Sequence, residues 1–331
     1  MNNLTGMRGL ARVTAVAALG CAMAAPSFAD TLKLAHWVPP QHILTKSTIE
    51  PLQAALEGSD LDIEVYPGGE LGGGPVEQYI RAVQGIADIT WGLQGYTSTQ
   101  FPKTMIAELP GALPEGMGGY DMFWNAYEDH LTGEFPGTVP LALWLSEPNI
   151  FIMKDIDIRT PSDVEGLKIR VSGSAAAAVI EGLGGTPVQM PAGEIYNSLQ
   201  TGLIDGVITG SSAVGDFRLD EVANSYTFGA PLGRIAFYLV MNKDRYDGLS
   251  DENRAALDAI AGAELSQHAE EGWNGRADQV IESMSAAGDN TVYTLTDDEV
   301  AAFAALTLPV TDQVVAGIDG GADVLATMRG E

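Results

Sequence analysis

The residue types that carry catalytic chemistry occur in this sequence, but their spacing matches no catalytic motif. His36 and His42 are six positions apart, which does not place two metal ligands on one helix face, and no HExxH motif occurs. The glycines of segment 67–74 lack the Lys-Ser/Thr that completes a phosphate-binding loop. Segment 210–215 only approaches a GxSxG nucleophile turn. We therefore predict no catalytic residue, no metal site and no cofactor, and hence a protein that is not an enzyme.

Cations are scarce in this chain, which makes the few that lie in apolar sequence informative. The chain has 17 Lys and Arg against 44 Asp and Glu, a formal net charge of −27. Arg170 lies at the end of a predicted strand, where ligands of open α/β sheets bind. Its guanidinium can hold a carboxylate through two parallel hydrogen bonds, or it can pair with one of the chain's own acids. Arg234, which precedes another predicted strand, is a second candidate.

The composition excludes several classes of protein. Hydrophobic residues make up 46% of the 331 residues, which is enough for one or two globular domains and too much for a disordered chain. Because an acidic surface repels phosphate, we expect no binding to nucleic acid. The single cysteine excludes a scaffold held together by disulfides.

The first thirty residues have the pattern of an export signal. Arg8 and Arg12 are followed by the small apolar run 13–25, and segment 27–29 supplies the small residues that signal peptidase requires. The run is shorter than the roughly 20 strongly apolar residues that span a bilayer, which favours cleavage over a membrane anchor. We predict a signal peptide at 1–29 and a periplasmic mature protein. Lipidation at Cys21 is the less favoured alternative.

Strand-like and helix-like segments alternate along the rest of the chain. Patterns of apolar residues predict strands at 31–36, 61–66, 87–92, 167–171 and 235–241. Helical spacing and capping residues predict helices at 43–56, 75–84, 174–183 and 194–201. This order predicts an α/β protein with largely parallel sheets. The proline-free segment 250–287 predicts either one long helix that crosses between two domains or two helices with a break.

Two runs of sequence resemble a known family of transport receptors. They are Pro161–Val171, with the sequence PSDVEGLKIRV, and Met190–Gly206, with the sequence MPAGEIYNSLQTGLIDG. Together with Gly69–Gly72 and Gln84–Asp88, they resemble the periplasmic solute-binding subunit of TRAP transporters, of the DctP type. The resemblance covers essentially the whole mature chain.

The resemblance implies a Venus flytrap fold, in which a long interdomain helix joins two α/β domains. The first domain is expected at 30–147 plus about 235–274, and the second at 148–234 plus about 275–331. A small-molecule organic acid would be held in the cleft between them and delivered to small and large membrane subunits that an ion gradient drives. An ABC-type receptor of similar shape and a secreted enzyme acting on a small organic acid are the alternatives.

The resemblance also places the family's carboxylate-binding arginine on Arg170. Segment 145–151 carries no second arginine, Thr209 stands where an asparagine is common, and Ala192 stands where a phenylalanine is common. These departures argue against a sialic acid or a dicarboxylate. The aromatic residues expected near the rim of the cleft leave room for a larger or aromatic monocarboxylate, or for a sugar acid stacked on a ring; they are Trp37, Trp91, Trp144 and Tyr96. The residues expected to bind it are Arg170, Trp37, His36, Gln94, Trp144, Met190, Thr209, Gly210, Ser211 and Arg234.

Overall fold

Two β-sheets form the framework of the protein, whose computed structural model describes residues 30–286 and 290–331. The predicted signal peptide at 1–29 lies outside these residues. The strands are β1 Asp30–Ala35, β2 Leu61–Tyr66, β3 Ile89–Leu93, β4 Thr138–Leu145, β5 Asn149–Met153, β6 Lys168–Val171, β7 Thr186–Gln189, β8 Gly206–Gly210, β9 Ser225–Phe228, β10 Ala236–Asn242 and β11 Thr291–Thr294. The first sheet has the order β2-β1-β3-β10-β4, and the second has the order β11-β9-β5-β8-β6-β7.

Helices cover the sheets. They are α1 Glu50–Ala55, α2 Gln78–Val83, α3 Gly119–Ala126, α4 Ser174–Gly182, α5 Ile195–Thr201, α6 Ser212–Asp216, α7 Lys243–Asp247, α8 Asp251–Asp258, α9 Ala263–Ala286, α10 Asp297–Ala316 and α11 Gly321–Met328. We call the five-stranded sheet with its helices the first lobe, and the six-stranded sheet with its helices the second lobe. The alternation of strands and helices predicted from the sequence is confirmed.

Both sheets are largely parallel, as predicted, but each contains one strand that runs against the others. Strand β10 pairs antiparallel with β3 and β4, and β5 pairs antiparallel with β8 and β9. The reason is that the chain passes directly between the lobes, without a crossover helix that would restore the strand direction. Strand β4 ends where the chain leaves the first lobe, and β10 begins where the chain returns. Neighbouring strands with this connection must therefore run in opposite directions.

Residues of β10 show how the first sheet is buried on both faces. Phe237, Leu239 and Met241 belong to the apolar cluster that includes Trp273 of α9. The alternate residues, among them Tyr238, belong to a different cluster on the opposite face. A strand that is buried on both faces consists of a continuous run of apolar residues. This run is why the strand could be predicted from the sequence.

The long proline-free segment forms two helices, as one of the two sequence interpretations expected. Helix α8 ends at Asp258 and α9 begins at Ala263. Gly262 lies between them with a φ of +89°, in the left-handed region that favours glycine. Helix α9 still has 24 residues and crosses between the lobes. Its Trp273 packs in the first lobe, whereas its Met284 packs in the second.

Helices α10 and α11 form another connection between the lobes. Thr296 and Glu299 form a capping box at the start of α10. By length and composition α10 could cross a membrane, but its Phe303 is buried in the second lobe. Met328 of α11 is buried in the same cluster as Phe123 of α3, in the first lobe. The domain limits stay a prediction, and α11 packs on the first lobe although the prediction places 275–331 in the second.

Two connecting segments, 146–148 and 229–235, lie side by side where the chain passes between the lobes. The backbone N–H of Ser146 donates to the carbonyl of Ile235 at 2.8 Å. Glu108 holds the same region, because its carboxyl Oε1 accepts from the backbone N–H of Ala236 at 2.8 Å. The side chain of Glu108 is buried, and this burial raises its pKa to about 8.

We predict that Glu108→Gln reduces the dependence of stability on pH. The pKa of Glu108 is about 8 in the folded chain, and its ordinary value is near 4.5. Between these two pH values Glu108 is protonated in the folded chain and ionised in the unfolded chain. The free energy of unfolding should therefore fall as pH rises from about 5 to about 8, by at most about 1.4 kcal/mol per pH unit from this group. Glutamine does not titrate, so the variant should lose less stability over this range.

Urea unfolding of both proteins across this pH range measures the effect. Glu57→Gln, at an exposed position just after α1, is the matched control and should leave the pH dependence of the wild type unchanged. Parallel stability curves for the wild type and Glu108→Gln would contradict the prediction.

Candidate functional site

A cavity lies between the two lobes, and the space in and around it that protein atoms do not fill, open solvent included, is about 460 Å³. We call it the interlobe cavity. Its apolar lining residues are Trp37, Trp91, Leu93, Ala192, Ala213, Phe217, Ile235, Phe237 and Trp273. Its polar lining residues are His42, Ser146, Arg170, Thr209, Gly210, Ser212 and Asp216. The cavity is therefore mostly apolar with a few polar groups, as small-molecule sites usually are.

Aromatic rings from five separate segments form its walls. Trp37 follows β1 and stacks on Trp91 of β3, with ring centroids 5.5 Å apart and ring planes inclined by 19°. On another side Trp37 stacks on Phe217 of the second lobe at 6.0 Å and 18°. Phe237 of β10 packs against Trp91 at 5.7 Å and against Trp273 of α9 at 5.0 Å. Such walls suit a flat apolar group such as an aromatic ring.

Arg170 supplies the positive charge of the interlobe cavity. It is located in β6, next to the turn that leads into α4, and its side chain is only 1% exposed. Its Nε donates to the carbonyl of Met190 at 3.0 Å, and one terminal nitrogen lies 3.5 Å from the Tyr96 hydroxyl. Among the described residues, no carboxylate lies within 4.0 Å of this guanidinium. Burial lowers the pKa of Arg170, and the Tyr96 hydroxyl opposes this shift.

Tyr96 joins the lobes next to Arg170. It follows β3 in the first lobe, and its hydroxyl accepts from the backbone N–H of Ala192 in the second lobe at 2.9 Å. Burial raises the pKa of Tyr96, so the hydroxyl stays neutral at ordinary pH. The groups that surround the guanidinium within the protein are therefore neutral, and its charge is not compensated by a nearby anion.

His42 and Asp216 of the lining form a second polar group together with Arg276 of α9, which lies next to them outside the lining. The Asp216 carboxylate accepts from Nε of Arg276 at 3.1 Å, and its other oxygen lies 3.5 Å from Nε2 of His42. Nδ1 of His42 accepts from the backbone N–H of Leu44 at 3.2 Å, which places the proton of the neutral ring on Nε2, facing Asp216. Burial lowers the pKa of His42 to about 3, so the ring is neutral at physiological pH.

Four of the ten residues predicted to bind the ligand line the interlobe cavity. They are Trp37, Arg170, Thr209 and Gly210. Two others contact lining residues but do not line the cavity themselves. The carbonyl of Met190 accepts from Arg170, and the buried Trp144 packs against Phe237 and Trp273 with ring centroids 5.4 and 5.5 Å away.

The other four predicted residues lie outside this lining. His36 and Gln94 are buried beside the first sheet, and the ring nitrogens of His36 and the amide of Gln94 have no hydrogen-bond partner among the described residues. Ser211 lines a separate surface cavity. Arg234 belongs to a connecting segment, where its guanidinium donates to the carbonyl of Ser146 at 2.7 Å.

Sequence reasoning missed several lining residues for identifiable reasons. The spacing of His42 from His36 bears only on metal binding, and Phe237 is one of several apolar residues in a predicted strand. Asp216 is one of 44 acidic residues, and its local sequence does not set it apart. Trp273 lies on a helix whose crossing between the lobes was expected, but the face it presents depends on where the helix begins.

Comparison with known proteins identifies the family. Residues 34–317 match the family model of the bacterial extracellular solute-binding proteins, family 7, named DctP. The chain belongs to this family. The predicted family and the two-domain α/β fold are thereby confirmed.

Individual members of the family resemble the chain along most of its length. The chain is 28% identical over 261 residues to the ectoine-binding periplasmic protein TeaA of Halomonas elongata, covering 75% of this chain and 73% of that protein. It matches the crystal structure of a TRAP solute-binding protein from Rhodoferax ferrireducens in complex with benzoate, with a TM-score of 0.82, 27% identity and coverage of 91% and 96%. A TRAP periplasmic solute-binding protein from Bordetella bronchiseptica with bound (R)- and (S)-mandelate matches with a TM-score of 0.81, 25% identity and coverage of 91% and 98%.

Proposed function

We propose that this family member is a periplasmic receptor that binds an aromatic monocarboxylate in the interlobe cavity. It then delivers the acid to the small and large membrane subunits of a TRAP transporter. The observation that carries the proposal is the buried guanidinium of Arg170, which lines an aromatic cavity and has no carboxylate partner among the described residues. An anion bound there would supply the missing counter-charge.

The charge at the site favours one carboxylate over two. Burying a cation without an anion is unfavourable, and a ligand carboxylate can remove this penalty through a two-bond contact with the guanidinium. Arg170 is the cation in the lining, and the other ionisable side chains there are the neutral His42 and the acid Asp216. A second carboxylate on the ligand would meet no cation of the lining and could face Asp216.

The walls favour an aromatic acid over a sugar acid. A sugar acid carries several hydroxyl groups, each of which needs a hydrogen-bond partner once it is buried. Nine of the sixteen lining residues are tryptophan, phenylalanine or aliphatic residues, whose carbon surfaces offer no such partner. Ala192, which stands where a phenylalanine is common in the family, leaves room for a ring. The benzoate and mandelate complexes of related proteins support this ligand class.

We propose further that the bound acid is released unchanged. A serine hydrolase needs a histidine with one nitrogen free to take the proton of the serine. Ser212 and His42 both line the cavity, but Nδ1 of His42 accepts from Leu44 and Nε2 faces Asp216. Recovery of an aromatic acid intact after prolonged incubation with the protein tests this point, and a new product would contradict it.

We predict that Arg170→Met weakens the binding of benzoate by roughly one hundredfold or more, because a two-bond contact with a charged group is lost. Arg170→Lys should also weaken binding, because an ammonium group lacks the planar fork of the guanidinium. Without ligand, Arg170→Met should unfold at the same temperature as the wild type or at a higher one, since it removes an unpaired buried charge. Calorimetric titration and thermal unfolding measure the two effects.

Arg234→Met is the matched control for this experiment. It makes the same substitution at a partly buried arginine that lies outside the interlobe cavity. It should reduce benzoate affinity much less than Arg170→Met does. If Arg170→Met binds benzoate as tightly as the wild type, Arg170 is not the carboxylate anchor.

We predict that Gly173→Ala weakens ligand binding by hindering closure of the lobes. Gly173 of the second lobe lies against Gly95 of the first, and a Cβ atom on Gly173 would lie 2.6 Å from the Gly95 Cα atom. The backbone of Gly173 is extended, so alanine fits its conformation and stability should change little. Benzoate affinity should fall by about tenfold, the effect of an overpacked contact.

Scattering and calorimetry with saturating benzoate test this prediction. The wild type should show a smaller radius of gyration with benzoate than without, and Gly173→Ala should contract less. Gly193→Ala, in the second lobe, is the control because a Cβ atom there meets nothing within 4 Å. Equal contraction and equal affinity in all three proteins would argue against closure at this contact.

We predict that the mature protein begins at Asp30 and carries no lipid. The small residues of segment 27–29 form the cleavage site, and the sequence before Cys21 fits a lipoprotein signal poorly. Intact-mass measurement of protein recovered from the periplasm decides between the two. A diacylglyceryl group on an N-terminal Cys21 would overturn the prediction.

A further inference from the structure

We infer that Asp216 is a second polar anchor in the interlobe cavity, which selects aromatic acids that carry a ring hydroxyl group. The inference rests on the proposed function, because it assumes that Arg170 holds the carboxylate of the same ligand. It assigns to Asp216 the recognition of a hydrogen-bond donor on the ring.

The position and surroundings of Asp216 leave it able to accept a further hydrogen bond. Its side chain is 4% exposed, and it lines the cavity at the end of α6. An ionised carboxylate has about four acceptor positions. Arg276 donates to one oxygen at 3.1 Å, the backbone N–H of Ile43 also faces the carboxylate, and His42 lies at the longer distance of 3.5 Å. One position therefore remains for a ligand.

The two charged groups of the lining fix the orientation of a bound acid. Arg170 and Asp216 both line the interlobe cavity, but they form no ion pair, so more than 4.0 Å separates the guanidinium nitrogens from the carboxylate oxygens. The ligand carboxylate is attracted to Arg170 and repelled by Asp216. The group on the ring that bonds to Asp216 must then be a donor, since an acceptor or a second carboxylate would be repelled by the oxygen atoms of this carboxylate.

Two unpartnered donors indicate that this group also accepts a hydrogen bond. The indole Nε1 atoms of Trp37 and Trp91 are buried and have no hydrogen-bond partner among the described residues. Both tryptophans belong to the cavity lining. A hydroxyl group donates one hydrogen bond and accepts others, so it can satisfy Asp216 and an indole N–H together. An ammonium group, which donates without accepting, would satisfy the carboxylate alone.

The alternative role for Asp216 is purely positional. It joins His42 of the first lobe to Arg276 of α9, and this network could hold the lobes together without touching a ligand. If the role is positional, replacing Asp216 would change the affinity for all aromatic acids equally. Recognition of a hydroxyl group would affect only the acids that carry one, and this difference can be measured.

The first arm of the experiment titrates the wild type with benzoate, 3-hydroxybenzoate, 4-hydroxybenzoate and the two corresponding methoxybenzoates. At least one hydroxybenzoate should bind about tenfold more tightly than benzoate, the effect expected of a hydrogen bond to a charged group. The methoxy analogue of that acid should lose the gain, because its oxygen has no proton to donate. If benzoate or the methoxy analogue binds as tightly as both hydroxybenzoates, the inference is wrong while the proposed function stands. If none of these acids binds, both are wrong.

The second arm repeats the titrations with Asp216→Asn and Asp216→Ala. Both variants should reduce the advantage of the hydroxybenzoate over benzoate several-fold, while the affinity for benzoate itself changes less. Asp220→Asn, an exposed acid of the same lobe, is the matched control and should keep the full advantage. An equal loss for all ligands would assign Asp216 a positional role and overturn the inference. If neither variant folds, the ligand series on the wild type still decides the question.

Discussion

The burial of Arg170 is the constraint on which the rest of the site depends. A chain with 44 acidic residues nevertheless keeps every described carboxylate more than 4.0 Å from this guanidinium. The Met190 carbonyl accepts a hydrogen bond from its Nε, and the Tyr96 hydroxyl lies 3.5 Å from a terminal nitrogen. Neither neighbour carries a charge. Because repulsion from the acidic surface is screened beyond about 10 Å, this short-range positive site can still attract an anion. The absence of a nearby acid is therefore what suits the site to a ligand carboxylate.

The aromatic walls depend on how the chain passes between the lobes. Trp91 lies on β3, and Phe237 lies on the neighbouring β10, which enters the first sheet from the second lobe. Phe217 comes from the second lobe, and Trp273 comes from the helix that crosses between the lobes. No single segment could build this enclosure. The mixed strand directions, which depart from a simple parallel sheet, are a direct consequence of a chain whose segments 146–148 and 229–235 pass directly between the lobes, where the cavity forms.

The sequence was sufficient for the parts of the site that are encoded locally. Arg170 could be predicted because a short strand, a turn and a helix surround it in one continuous segment. Arg234 instead precedes a strand, and that strand runs antiparallel to its neighbours. It therefore lies in a connecting segment and donates to the Ser146 carbonyl rather than facing the cavity. His42 and Asp216 come together only through the packing of two lobes, and the 173 intervening residues give no local signal of it.

The proposed closure of the lobes depends on the desolvation of Arg170. In the structure Tyr96 of the first lobe covers the guanidinium of the second, so an approach of the lobes would remove water from the charge. Without an anion this step is unfavourable, and with a bound carboxylate the penalty is offset by a charge-assisted hydrogen bond. A ligand shifts an equilibrium between open and closed states only through a difference in its affinity for the two. A carboxylate meets that condition here, because Tyr96 and the aromatic walls contributed by both lobes surround it only when the lobes are together. We therefore expect the same arginine that selects the acid to make closure depend on it.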